Sequence, residues 1–413
     1  MSRKALLICY YFPPLGMAGI FRPLALFEKL PPHGWDCHVL TVKPVLYRAY
    51  EPELLARLDR TKIFRSGSRD PQRLLYLAGL RSIKPSSIKR TRTLSSRFFP
   101  DSKVGWVRPA ARLGRTLCEN YRYDLLISTS PPISAHLIGA RLKADLGIPW
   151  IADFRDYWST NPVEQSFEAP RLVKKGKQLL TDIRQQADRV TTVNRPIADY
   201  LGEGEIITNG YDDRLAEGWR SGPDRDHFCL GLLGHQPDYF EIDSLLDMLA
   251  YLAESQPAAL TRLKIIHVGE FDPGWLENRL EGRGISVSLE CHGRLPREKT
   301  VDVLRRAHLL YLSAPLQAGK EIVPTRTYDL LASGRPLIVE APLNGEVQRI
   351  LTGCEQVHFV DRGEIEPAAE FLVRQMAAVD SGRYTFTPLS DYASQFSSDA
   401  MTEKFVRVME DLL

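Results

Sequence analysis

Glu321 and Asp329 stand eight positions apart in Lys-Glu-Ile-Val-Pro-Thr-Arg-Thr-Tyr-Asp-Leu-Leu-Ala-Ser-Gly-Arg-Pro, residues 320–336. The spacing sets one carboxylate just before a helix start and the other within the first turns of that helix. Pro324 suits a first-turn position, where its missing N–H costs nothing. Gly334-Arg335-Pro336 then stops the helix, and Leu337–Glu340 reads as the next strand. A loop that enters a helix this way offers backbone N–H groups and a helix dipole to an anion. The amides of Ile322 and Val323, with Lys320 and Arg326 as cations, would meet a diphosphate. The two acids would bind hydroxyls of a sugar (Glu321) and of a ribose (Asp329). That combination suits a nucleotide-diphosphate sugar. The same residues also make an ordinary charged surface loop and helix.

Three further groups carry chemistry. In Pro149-Trp-Ile-Ala-Asp-Phe-Arg-Asp-Tyr-Trp158, Asp153, Arg155 and Asp156 leave the end of a strand together. They can hold one another as a structural ion cluster. They can also bind acceptor hydroxyls, with Arg155 steadying a leaving phosphate or a transferring sugar where charge develops. In Tyr11-Phe-Pro-Pro-Leu-Gly-Met-Ala-Gly-Ile-Phe-Arg-Pro23, Gly16 and Gly19 permit close backbone approach to a ligand. Gly234, Glu270 and His292-Gly293-Arg294 follow strand-like runs, and Arg294 is another phosphate candidate. The nine histidines form no H-x-x-x-H or H-x-x-E-H pattern, so no metal or other cofactor is expected. No phosphate-binding G-x-x-x-x-G-K-[ST] loop and no G-x-S-x-G elbow occur.

The elements that must position these residues alternate from end to end. Ala5–Tyr10, Cys37–Thr41, Leu125–Ser128, Trp150–Asp153 and Arg189–Val193 read as buried strands, with helices at Arg22–Leu30 and Ile133–Leu146. His227–Leu233, Leu263–Val268, Ser286–Cys291, Leu309–Ser313 and Leu337–Glu340 repeat the logic, with helices at Leu245–Ala253 and Arg297–Ala307. Parallel strands with crossover helices follow, in an α/β fold of two Rossmann-like domains. Ligands of such sheets bind beyond the carboxyl ends of the strands, which sends all four groups toward one cleft. The polar stretch 216–226 is the expected linker. Domains are expected at 1–215 and 223–390, with 391–413 ending in an amphipathic helix.

The motifs quoted above resemble those of retaining, family-4-like glycosyltransferases of the GT-B fold over most of the chain. The carriers are the E-x7-E-like segment with Gly334 five residues after Asp329, the Phe12-Pro-Pro-x-Gly opening, Gly34-Trp-x-x-His-Val-Leu-Thr41, and Asp153-Phe-Arg-Asp-x-Trp158. The resemblance implies a GT-B fold whose C-terminal helix returns to the first domain. It also implies metal-independent transfer with retention from a nucleotide-diphosphate sugar, and backbone near His292-Gly293 against the base. This chain has Asp329 where Glu is usual. Arg155 stands where some branches have a sugar-contacting His, and Gly234-His-Gln-Pro replaces the usual Gly-Arg. The acceptor expected on this basis is a lipid-linked glycan in envelope or exopolysaccharide synthesis. A catalytically silent nucleotide-binding or scaffold protein, and a sugar-nucleotide epimerase, stay open as alternatives.

Composition limits the partners. A chain of 413 residues with 44% apolar and 25% charged residues is of globular type, and no apolar run spans a bilayer. Six cysteines without C-x-x-C pairs suggest a reducing, cytoplasmic setting. The net charge of +3 conceals a basic stretch at 51–115, with 16 Lys/Arg against 5 Asp/Glu. Within it Arg73–Lys84 mixes leucines and cations as a membrane-surface segment does, the alternative being a solvated basic helix. Without a nucleic-acid-binding motif or interleaved aromatics, nucleic acid is not expected as a partner.

Overall fold

The computed structural model describes residues 2–47, 49–81, 98–158, 170–224, 226–234, 242–270, 274–314, 319–360 and 364–413. The chain divides into two compact units, 1–209 with 399–413, and 210–398.

The first unit is built on a seven-stranded parallel sheet: β1 (Arg3–Ile8), β2 (Trp35–Val42), β3 (Ile63–Ser66), β4 (Leu125–Ser130), β5 (Trp150–Phe154), β6 (Arg189–Thr192) and β7 (Glu205–Ile206), in the order β3-β2-β1-β4-β5-β6-β7. The central strands carry apolar runs such as Ala5–Ile8 and Leu125–Ile127 because helices cover both faces. Tyr10, Trp106, Leu126 and Trp150 pack on one side, and Leu7, Phe27, Ile127 and Phe405 on the other. Phe405 comes from the last helix, Ser398–Glu410, which from Asp399 onward belongs to this unit. The expected return of the C-terminal helix to the first domain is therefore present.

The second unit has a six-stranded parallel sheet: β8 (Phe228–Leu233), β9 (Leu263–Val268), β10 (Ser288–His292), β11 (Leu309–Ser313), β12 (Leu337–Glu340) and β13 (Val357–Phe359), ordered β10-β9-β8-β11-β12-β13. In both sheets the order reverses beside the first strand of the unit, a doubly wound arrangement that opens a ligand crevice at the carboxyl ends.

The chain passes from the first unit to the second at 209–210, ahead of the stretch 216–226 expected as the linker. Ala216 and Trp219 are buried in the second unit. Arg335, just before β12, holds this segment. Its guanidinium donates to the carbonyl oxygens of Ala307 (2.7 Å), Trp219 (3.2 Å), Ser221 (2.9 Å) and Arg305. It also lies against the rings of Trp219 and Phe386, 5.4 and 4.7 Å from their centroids. A buried cation is tolerable here because its donors are met by carbonyls and its faces by π clouds. Arg335→Ala leaves those carbonyls without a donor. It should lower stability by about 2–4 kcal/mol, read as a reduced urea midpoint. Arg335→Lys, which cannot serve four acceptors, should recover less than half of the loss.

Candidate functional site

In the first unit, the carboxyl ends of β1, β4, β5 and β6 converge on two arginines. Arg22 sits in the first turn of the helix Phe21–Lys29. Its Nε and Nη2 donate to Asp153 at 3.0 and 2.8 Å, and its Nη1 donates to the carbonyls of Ile207 (2.8 Å) and Thr208 (3.1 Å). Asp153 ends up wholly buried and also accepts from the hydroxyls of Thr129 (2.7 Å) and Thr191 (2.8 Å). Although burial acts to raise the Asp153 pKa, Arg22 and the hydroxyls outweigh it and hold the carboxyl below its usual range. Asp153 was expected among the groups touching substrate. It has no exposed surface, and its oxygens are taken up by Arg22, Thr129 and Thr191.

Arg155 is buried too. It donates from Nε to the Ser130 carbonyl (2.8 Å) and from Nη1 to the Gly19 carbonyl (2.9 Å). It thereby pins the loop after β1 to the ends of β4 and β5. Asp156 is partly exposed, and burial pushes its pKa up to about 6 against the pull of Arg155. Of the three charged residues in this segment, Asp156 alone offers a titrating group near neutral pH. Cys9 is no rival as a nucleophile, because burial pushes its thiol up to about 12.

The glycines of the β1 loop serve the protein first. The Gly16 N–H donates to Ala49 O (2.8 Å), and the Gly19 carbonyl is taken by Arg155. Between them Met17 has φ 78°, ψ 164°, a region that glycine occupies almost alone. Holding it there costs about 1–3 kcal/mol, which the surrounding bonds must over-determine.

In the second unit, the segment 319–329 follows β11. Gly319 has φ 98°, and a Cβ on it would come within 2.5 Å of both Glu321 carboxylate oxygens. The Glu321 carboxylate is thus folded back over the Gly319 backbone. The Ile322 and Val323 amides have no acceptor among the described residues. The helix runs Arg326–Ala332, so Pro324 lies ahead of the first turn rather than in it, with its carbonyl accepting from Thr327 N at 2.9 Å. Asp329 is in the first turn as expected. Arg326 reaches back to the Ser313 carbonyl at the end of β11, and burial draws its pKa down to about 10. Lys320 is exposed, and its carbonyl accepts from Glu346 N (2.7 Å).

Asp329 carries a partner that the sequence reading missed. Arg297, at the start of the helix Arg297–Leu304, donates to Asp329 Oδ1. Burial raises the Asp329 pKa, with Arg297 opposing and Asp212 adding to the rise. His292 leans on Glu290 (2.8 Å), a carboxylate held far below its usual range chiefly by Arg306. Gly293 is exposed, Arg294 partly so. Gly234 gives its N–H to Val268 O (3.1 Å). It meets Gly269 so closely that a Cβ there, at φ 155°, would overlap the Gly234 carbonyl. Gly269 preceding Glu270 was the visible signal of this approach.

A model of the glycosyl transferase 4-like domain matches residues 22–207. Most of the first unit is thus similar to a glycosyltransferase 4-like domain. Solved GT-B structures extend the likeness over the whole chain. Sucrose-phosphate synthase from Thermosynechococcus elongatus is 14% identical, with 99% of each chain covered and a TM-score of 0.64. The Anabaena HepE protein, solved with UDP and glucose, is 13% identical, covering 99% of this chain and all of its own, at 0.61. A Rickettsia africae glycosyltransferase is 11% identical, covering 100% and 98%, at 0.65. At these identities the likeness carries the GT-B fold alone. No curated protein matches by sequence.

Two outcomes follow for the first unit. Asp153→Ala strands the buried Arg22 charge and should cost about 3–5 kcal/mol in denaturant unfolding. Asp156 acts in the opposite pH sense to Asp153. Between its ordinary value of 3.8 and about 6, the unfolded chain is ionised while the folded chain keeps the proton. Asp156 therefore lowers stability as pH rises through that window, by on the order of 3 kcal/mol. Asp156→Asn should flatten the stability profile between those limits and leave the Asp153-dependent loss at lower pH intact.

Proposed function

We propose that the chain transfers a sugar from a nucleotide-diphosphate sugar to a hydroxyl acceptor, with retention and without a metal. The family match and the GT-B fold support sugar transfer in general. The observation that carries the finer reading is the segment 319–329, where Glu321, two amides without acceptors among the described residues, Arg326 and Asp329 follow one another after β11. On this reading Glu321 binds hydroxyls of the transferred sugar and Asp329 binds the ribose through the oxygen that Arg297 leaves. The Ile322 and Val323 amides, with Lys320 and Arg326, take up charge as the anomeric C–O bond to the diphosphate breaks. His292, Gly293 and Arg294 lie on the base side, and Gly234 near the phosphates. The new bond forms from the acceptor oxygen to the anomeric carbon, and its proton leaves with the diphosphate. No protein nucleophile is needed, so positioning and leaving-group stabilisation carry the rate.

The first unit takes the acceptor side, with Gly16, Gly19, Arg155 and Asp156 bordering the β1 loop. A lipid-linked glycan of envelope or exopolysaccharide synthesis, met at the cytoplasmic face of a membrane, fits the basic 51–115 stretch. That HepE was solved with UDP and glucose makes a uridine donor the first to try.

The Asp329–Arg297 ion pair favours a second reading, a silent GT-B protein that binds nucleotide without turnover. Incubation with UDP- and GDP-sugars separates the two. Slow release of free nucleotide without acceptor, together with a donor-dependent rise in melting temperature, is expected of the enzyme. Glu321→Ala and Asp329→Ala should each abolish that rise. A rise with no nucleotide released, even with lipid-phosphate acceptors present, would establish the silent reading.

A further inference from the structure

Six large apolar residues are exposed among the described residues, and four of them lie in one short stretch: Leu74 (54%), Leu75 (36%), Leu77 (63%) and Leu80 (49%). They belong to the helix Pro71–Leu77 and the turn after it. Single exposed leucines need no explanation, but four adjacent ones mark a surface that meets something apolar.

The stretch is firmly placed. Asp70 caps the helix by accepting from Arg73 N (2.9 Å), and its other oxygen accepts from the Tyr10 hydroxyl (2.9 Å). Leu46 N donates to Gln72 O (3.0 Å). The helix therefore stands at the carboxyl edge of the sheet, beside the β1 loop. Its cations are arranged for an anionic surface. Arg73 and Arg81 flank the Tyr76 ring, 5.6 and 4.2 Å from its centroid, and Lys43, Arg69 and Arg81 are exposed. The one acid in the run 69–81, Asp70, is buried. Leucines with arginines around an aromatic ring are the composition of an interfacial anchor: apolar side chains enter the acyl boundary and guanidinium groups stay at the phosphates. Among the described residues no helix is long and apolar enough to cross a membrane.

We infer that residues 69–81 dock the first unit onto an anionic lipid bilayer, with Leu74, Leu77 and Leu80 inserted and Arg69, Arg73 and Arg81 on lipid phosphates. This goes beyond the sugar-transfer reading and does not need it, because binding is measured with no donor or acceptor present.

The test is sedimentation of the full chain with vesicles of phosphatidylcholine alone or with 30% phosphatidylglycerol. Binding is expected to the anionic vesicles, falling several-fold between about 0.1 and 0.5 M NaCl as charges are screened. Leu74→Asp/Leu77→Asp should weaken it roughly tenfold or more, and Arg81→Glu roughly fivefold or more. Both variants alter exposed side chains, so their melting temperatures should match the parent. Failure of the parent chain to bind anionic vesicles would overturn the inference. So would equal binding by the double variant, or a concentration-dependent dimer that the double variant abolishes while vesicle binding stays absent. Nucleotide-sugar turnover by the double variant in detergent would show that a loss of vesicle binding is separate from the active site.

Discussion

The Arg22–Asp153 pair governs the first unit. Two opposite charges with almost no solvent exposure are stable only together, since either alone would face the desolvation penalty of a buried ion. The pair is also filled on every side. Asp153 accepts from two threonine hydroxyls on neighbouring strands, Arg22 donates to the carbonyls of Ile207 and Thr208, and the Phe405 ring lies 4.9 Å from the guanidinium carbon. One electrostatic requirement therefore joins the end of β5, the first helix, the last residues before the second unit and the C-terminal helix. The return of that helix is in part a demand of the pair, because the apolar ring helps to exclude water from it.

The constraint determines what chemistry is left at this edge. Asp153 is spent on Arg22, and Arg155 on the carbonyls of Ser130 and Gly19. The titrating group that remains is Asp156, whose pKa burial raises to about 6 against the pull of Arg155. The second unit follows the same rule with less burial. Arg297 fixes one oxygen of Asp329 and leaves the other, and a shorter side chain than the family's usual Glu is held in one orientation.

Legibility in the sequence depended on how far apart partners lie. Central strands such as Leu263–Val268 and Leu309–Ser313 were readable to the residue, because apolar residues dominate strands buried on both faces. The edge strands Ile63–Ser66 and Val357–Phe359 were not, being short and only half buried. The helix Val104–Tyr121 escaped because Pro109 sits inside it, although its buried residues keep helical spacing. Glu321 and Asp329 could be singled out because their spacing is local. Arg22 with Asp153, and Arg297 with Asp329, are pairs separated by 131 and 32 residues, and no local pattern reports them. The stretch 216–226 looks like a linker by composition, yet its Trp219 and Ser221 carbonyls are held by Arg335, more than a hundred residues on.

These long-range pairs bear on how either edge would act on a ligand. Met17 is held in a glycine-like conformation by bonds on both sides, from Gly16 to Ala49 and from Arg155 to Gly19. The Glu321 carboxylate rests on a glycine that admits nothing larger, and Gly269 meets Gly234 with no room for a side chain. Met17 costs free energy in its conformation, the two glycines admit their close contacts without that strain, and all three are maintained by contacts internal to their own unit. Loops that had to order themselves around a ligand would draw that cost from binding. Here it is already met by folding, so the groups facing the ligand stand in fixed places before it arrives. For a reaction without a protein nucleophile, in which orientation and leaving-group stabilisation supply the rate, rigidity of that kind is the form catalysis has to take.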